Sequence, residues 1–226
     1  MTASLSGRLG LSNQDLWYAS RGSGVVLIVL LTLALMLGVA VRAGWAPGST
    51  LRFVVEGLHR NVALLGLTVL VLHVVTAELD PFVTLGWAAA FVPMASPYRS
   101  LWIALGAVSL DLALAVAATS LVRRHLSYRS WRAVHFLAYA AWPAAFVHSL
   151  ESGDDTRIGW VSGTLWACAA AVAIAAAVRL AGEKPAGRWS RRAVGVPSPA
   201  PATVSMPVAR RPGRERRAPV TVADER

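Results

Sequence analysis

Two stretches decide the fold: GLHRNVALLGLTVLVLH at 57–73 and WRAVHFLAYAAWPAAFVH at 131–148. Each is an apolar run with one histidine near either end. His59 and His73 stand 14 residues apart, and His135 and His148 stand 13 apart. An imidazole inside a lipid-spanning segment is costly unless something bonds or uses it. Four of the five histidines in the chain lie in such runs, in two pairs of nearly matched spacing. The rest of the sequence is read outward from these pairs.

Both stretches belong to apolar runs long enough to cross a hydrocarbon core of about 30 Å, which takes roughly 20 residues in a helix. Five such runs occur, at approximately 24–43, 53–77, 101–122, 132–150 and 159–180. Open strands would leave backbone groups unpaired in lipid, so the runs are helices. The expected fold is therefore all-α, an integral membrane bundle of about five transmembrane helices at the cell membrane. Trp45, Trp102, Trp131 and Trp160 fall at run ends, where an interfacial aromatic belt would place them. The stretch 81–98, apolar but interrupted by Pro81, Pro93 and Pro97, reads as an interfacial or re-entrant segment rather than a sixth span.

Composition agrees. The chain of 226 residues is 55% hydrophobic and only 15% charged, well below the quarter or so usual in soluble domains. The net charge of +10 does not indicate nucleic acid, because of where the charge sits. Ten of the 22 Lys and Arg follow residue 180, and most of the others occupy short loops between apolar runs. That distribution reports orientation. Arg42, Arg52 and Arg60, then Arg123, Arg124, Arg129 and Arg132, then the basic tail fall on one side. Glu78, Asp80 and Arg99, with Glu151, Asp154, Asp155 and Arg157, fall on the other. The positive-inside rule puts the first side in the cytoplasm, the N-terminus outside and the C-terminus inside.

The chain divides into an N-terminal extracytoplasmic segment at 1–23, a helical membrane domain at 24–180 and a basic cytoplasmic tail at 181–226. The first segment is mixed and polar, and no clear A-x-A site follows the first apolar run, so a cleaved signal peptide is not expected. The tail holds seven of the 12 prolines and lacks periodicity, so it reads as disordered. Its clusters, Arg210 with Arg211 and Arg214 with Arg216 and Arg217, suit a solvated tail or contact with anionic lipid. The single cysteine, Cys168, excludes an intrachain disulfide.

One span separates the second run from the fourth, so the two run in the same direction. At 1.5 Å per residue, 14 residues rise about 21 Å and 13 about 20 Å. His59 is thereby matched in depth with His135, near the cytoplasmic face, and His73 with His148, near the outer face. Each pair can supply both axial ligands of one haem, and a bis-histidine iron suits electron transfer better than oxygen binding. Rotation fits one helix better than the other. Fourteen steps of 100° end about 40° short of whole turns, but thirteen end about 140° short, and Pro143 is the expected place of repair. The rival reading is a set of interhelical hydrogen-bonding histidines in a transporter or scaffold without haem. Zinc or di-iron sites lack accompanying cysteines or carboxylates at ligand spacing. His125, in RRHLSYR (123–129), reads as a surface residue.

Over about residues 15–180 the chain resembles the ferric reductase-like transmembrane domain, shared by NADPH oxidases, iron reductases and the haem subunit of the bacterial methionine sulfoxide reductase system. The resemblance rests on LWYASRGSG (16–24), the two stretches quoted above and LDLALAVAATSLVRR (110–124). It implies two stacked b-type haems held by His59, His73, His135 and His148, and an irregular fourth span. It also implies an oxidoreductase passing electrons to an extracytoplasmic acceptor: ferric iron, oxygen or a partner protein. The sequence departs from the larger members after residue 180, where nothing reads as a flavin or nicotinamide domain and no G-x-G-x-x-G follows a strand. The electron donor is therefore expected to be a separate flavoprotein reductase, a quinol or another membrane partner. A quinone-linked cytochrome b running electrons the other way is the remaining alternative.

Several other residues have two readings. Arg60 and Arg132, with Arg129, lie near the expected inner haem, where guanidinium would pair with propionates. Arg21 lies near the outer surface. All four equally suit simple anchoring. Asp111, near the middle of the third run, suits a proton or quinone site, or a packing hydrogen bond to Ser109, Thr119 or a neighbour. The acidic loop of Glu151, Asp154 and Asp155 would attract ferric ion by charge, or merely keep the loop wet.

Overall fold

The computed structural model describes residues 12–43, 49–80, 83, 85–152 and 158–181. The segment 1–11, Trp45, Pro81, Asp154, Asp155, Arg157, the side chain of Arg42 and the tail from 182 lie outside the described residues. Helix α1 spans Asn13–Ala43 and begins well before the apolar run at Gly24. A reciprocal cap starts it. The Asp15 carboxylate accepts from the Ser12 backbone N–H at 2.9 Å, while Ser12 Oγ accepts from the Asp15 N–H at 3.2 Å. Leu16, Ser20, Ser23 and Leu27, spaced four, three and four apart, are all buried, so this polar-looking stretch has one face against the bundle. Residues 13–23, read from sequence as part of an extracytoplasmic segment, are thus the first turns of the first helix.

Helix α2 spans Ser49–Leu79 and carries His59 and His73. The interrupted stretch that follows contains only the short helix α3, Trp87–Phe91. Around it the backbone takes positive φ at Gly86, Met94 and Arg99, which no regular helix allows. Among the described residues no membrane-length helix lies there. The Arg99 guanidinium donates to the Glu151 carbonyl at 2.6 Å and so ties this segment to the end of the histidine-bearing helix. Helix α4 spans Ser100–Leu121, and a single 3₁₀ turn, Arg123–His125, leads to helix α5, Tyr128–His135. Ser127 caps α5 by accepting from the Ser130 N–H at 3.1 Å. Helix α6 spans Ala138–Glu151 and helix α7 spans Gly159–Ala181.

The fourth run differs from its expected form. It is two helices, and the break falls at Phe136 and Leu137 rather than at Pro143, which lies within α6. Through the break the backbone bonds tighten from i−4 to i−3. Leu137 N–H reaches Val134 O at 2.9 Å, Tyr139 N–H reaches Phe136 O at 3.0 Å, and Ala140 N–H reaches Leu137 O at 2.9 Å. A 3₁₀ step turns about 120° and rises about 2.0 Å, against 100° and 1.5 Å in an α-helix. Each tightened residue therefore recovers about 20° of the rotation that thirteen α-helical steps lack, and adds about 0.5 Å of rise. Both changes bring His148 toward the face and depth of His73. Pro143 contributes by having no N–H to offer the Tyr139 carbonyl.

Among the described residues four helices are long and apolar enough to cross a membrane: α1, α2, α4 and α7. The pair α5 and α6 covers the remaining run. Helix α1 is the hub and packs on α2, α6 and α7, while α4 packs on α6, α5 and α3. The core where α1, α6 and α7 meet comprises Ile28, Trp142, Val161, Leu165 and Cys168. Trp142 lies nearly parallel to Phe146, with centroids 5.2 Å apart, and its indole N–H donates to Thr32 Oγ1 at 2.9 Å. Thr32 passes the bond on to the Ile28 carbonyl at 2.8 Å. Outside this core, large apolar side chains such as Leu65, Val71, Leu72, Trp166 and Ile174 stand exposed, as lipid-facing positions of a bundle do.

Replacing Thr32 by Val keeps the shape but leaves the Trp142 indole without an acceptor. Thr32→Val should lower stability in detergent by about 0.6–2 kcal/mol, read from reversible unfolding, with Leu65→Val as the unaffected control.

Candidate functional site

The helices bring the four histidines together two by two. The rings of His59 and His135 have centroids 6.2 Å apart, and those of His73 and His148 are 6.4 Å apart. Their planes cross at 69° and 80°. Two imidazoles on opposite sides of one metal ion, each bonded at about 2.0–2.1 Å, hold their ring centroids about 6.3 Å apart. At 6.2 and 6.4 Å, each pair has a separation at which two imidazoles could hold one metal ion between them. Helices α2 and α6 do not pack extensively on each other; α2 leans on α1, and α6 on α4 and α1.

The second ring nitrogen of three of these histidines is held by a helix carbonyl. His73 Nδ1 lies 2.9 Å from Ser20 O, His59 Nδ1 lies 2.9 Å from Ala34 O, and His148 Nδ1 lies 2.8 Å from Trp102 O. A carbonyl only accepts, so Nδ1 carries the proton and Nε2 of the neutral ring keeps its lone pair. That is the tautomer a metal ligand needs, and such a bond also fixes ring orientation. Ser23 Oγ, itself donating to Ser20 O at 3.0 Å, sits 3.4 Å from His73 Nδ1.

Each acceptor is followed by a glycine four residues on: Ser20 by Gly24, Ala34 by Gly38, Trp102 by Gly106. The reason is steric. In a helix the Cβ of residue i+4 leans back over the carbonyl of residue i, where the imidazole must enter. A Cβ on Gly106 would stand 2.7 Å from His148 Cε1, one on Gly24 3.1 Å from His73 Cε1, and one on Gly38 3.4 Å from His59 Cε1. Gly24 and Gly38 are 14 apart on α1, as His59 and His73 are on α2. The sequence reading missed these glycines and carbonyls. The matched 14-residue spacing was the signal that could have found the first two.

A cavity opens beside His73 and His148. Gly24, Gly106, Leu27, Leu70 and Ile103 line its apolar part, and Arg21, Glu78, Asp80 and Tyr98 contribute polar groups. Apolar walls beside the histidine pair suit a flat and mostly apolar ligand; of the charged groups named, Arg21 would attract a carboxylate and Glu78 and Asp80 would repel one.

A family model described as ferric reductase like transmembrane component matches residues 23–146, more than half of the chain. The chain belongs to the ferric reductase-like transmembrane family. It is a multi-pass membrane protein and a membrane electron-transfer module of a family that generally binds haem. The match includes His59, His73 and His135 and stops two residues short of His148. Comparisons with curated proteins and with solved structures return no match.

Within this ferric reductase-like domain the remaining candidates are placed unevenly. Arg132 lies over the Phe136 ring at 5.3 Å, and Arg60 is exposed beside His59. Arg21 lines the cavity with His73 and His148, and its guanidinium lies 5.5 Å from the Trp17 ring centre. Asp111 is half-buried on α4, but the partners expected for it bond elsewhere. Ser109 donates to Ala141 O at 2.9 Å, and Thr119 donates to Ala115 O at 2.7 Å. His125 is exposed, as expected, and accepts from Arg124 at 3.0 Å. Trp131 stacks on the His135 ring, with centroids 5.0 Å apart.

The glycines make a graded series. Haem retained per chain should fall most in Gly106→Ala, less in Gly24→Ala and least in Gly38→Ala. Gly66→Ala, whose added carbon would meet only Leu30 Cβ at 3.8 Å, should retain it fully. A haem-to-protein ratio on the purified variants reads the order.

Proposed function

We propose that this chain is a transmembrane electron-transfer subunit carrying two stacked b-type haems, one on His59 and His135 and one on His73 and His148. The observation that carries the reading is the centroid separation of 6.2 and 6.4 Å in two independent pairs. Nδ1 bonds at three of the four rings support it, because they leave Nε2 free to ligate. Among the described residues no three His, Cys, Asp or Glu side chains gather as a metal site. A planar chelate such as haem would supply the remaining donors to a metal held by two imidazoles. Haem at the two pairs would supply one-electron centres about 21 Å apart along α2. Membrane lipid surrounds the bundle.

The residues have distinct tasks in this reading. The histidines ligate, the carbonyls of Ser20, Ala34 and Trp102 set their tautomer and direction, and the glycines admit the rings. Arg21, beside the His73–His148 pair, is placed to meet a propionate, and Arg60 and Arg132 would do the same near the other pair. The arginine-rich end, with Arg123, Arg124, Arg129 and Arg132, faces the cytoplasm. Electrons enter there from a separate flavoprotein reductase or a quinol, which is oxidised. They leave at the other end to an extracytoplasmic acceptor, which is reduced one electron at a time.

The reduced-minus-oxidised spectrum of the purified chain should show b-type bands with two haems per chain. His73→Ala and His148→Ala should each lower the ratio toward one and remove the same low-spin ferric signal. Wild-type protein made with ample haem and lacking those bands overturns the reading.

A further inference from the structure

The four histidines are not held alike. His59, His73 and His148 each have a helix carbonyl at Nδ1 and a glycine that makes room for the ring. Among the described residues His135 has neither: its Nδ1 is buried without a hydrogen-bond partner. A ligating histidine nearly always donates that proton, because the bond fixes the ring about its side-chain torsions and enriches the ligand in electrons. His135 also sits at the last residue of α5, next to the break at Phe136 and Leu137, where the backbone supports it least.

What His135 has instead is a ring. Trp131 lies one turn earlier on α5, with its centroid 5.0 Å from that of His135 and the planes only 27° apart. Arg123 covers Trp131, with its guanidinium carbon 5.2 Å from the ring centre. Tyr128, exposed to solvent, approaches the same indole at 6.0 Å. The indole N–H of Trp131 is buried and unpartnered among the described residues, so no hydrogen bond orients this tryptophan. Stacking between Arg123 and His135 is what orients it. An offset stacked aromatic pair and a guanidinium over an indole are each attractive, and together they are comparable to one net hydrogen bond.

We propose that Trp131, backed by Arg123, is the positioning residue of the His59–His135 centre, doing for His135 by ring stacking what a helix carbonyl does for the other three histidines. The proposal rests on haem ligation by the two pairs. Two consequences follow for this centre alone. Its ligand-plane angle is set by the Trp131 ring, so the anisotropy of its low-spin ferric signal depends on residue 131. Its ferric state is less stabilised, because His135 keeps an undonated N–H while the Arg123 charge stands behind the stack. Both effects raise its midpoint potential relative to a fully anchored pair.

The test uses the full-length chain, purified with haem, and reads haem per chain, the low-spin ferric signals by electron paramagnetic resonance, and a potentiometric titration. His59→Ala first assigns the signal of its centre. Trp131→Leu should then broaden or abolish that signal and move the haem ratio from two toward one, with the His73–His148 signal unchanged. Trp131→Phe keeps a stacking ring and should restore both haems and both signals. Arg123→Gln, at an exposed position, should lower the midpoint potential of the assigned centre and leave that of the His73–His148 centre unmoved. Should Trp131→Leu fail to accumulate, the Arg123→Gln titration decides. An unmoved potential there, an unchanged assigned signal in Trp131→Leu, or equal disturbance of both centres overturns the proposal. Wild-type protein without haem would instead overturn the proposed function.

Discussion

An imidazole that is to offer one nitrogen to a metal must place the proton of the other, and inside a lipid-facing bundle there is little water to take it. The nearest acceptors are the carbonyls of neighbouring helices, each already bonded within its own helix and shielded by the Cβ four residues on. A glycine at that position uncovers the carbonyl. This constraint fixes how closely α1 can approach α2 and how closely α4 can approach α6. It ties Ser20 and Gly24, Ala34 and Gly38, and Trp102 and Gly106 to the histidines they serve.

The remaining architecture keeps these contacts in register. Helix α1 presents both of its carbonyl–glycine sets to α2 from one side. From another it holds α6 through the Thr32 and Trp142 bond and the stacked Phe146. Helix α4 presents the third set to His148 and grips α6 again through Ser109 and the Ala141 carbonyl. The histidine-bearing helices α2 and α6 are thus positioned by α1 and α4 rather than by each other. His135, at the end of the short helix α5, lies beyond this scheme and is held by an aromatic neighbour in its own helix.

Much of this was legible in the sequence. Apolar run length gave the spans, because a bilayer sets the length of any helix crossing it. Spacing gave the pairs, because a regular helix converts residue count into depth. Two features were hidden for one reason, the averaging of residues over a window. Residues 13–23 look polar in bulk, yet Leu16, Ser20, Ser23 and Leu27 form a buried stripe that the average conceals. The run at 132–150 looks continuous, yet its backbone tightens at Phe136 and Leu137, where neither residue type announces a break.

The sequence by itself determined the membrane class, the helices and which histidines could share a depth, since these follow from hydropathy and from the rise per residue. Only the tertiary structure decided that the rings of each pair stand 6.2 and 6.4 Å apart. It also decided which carbonyls hold them, why three glycines are needed, and that His135 is held differently. Those facts depend on the distance and rotation between helices, set by side chains far apart in the chain. No local pattern encodes a separation between two axes.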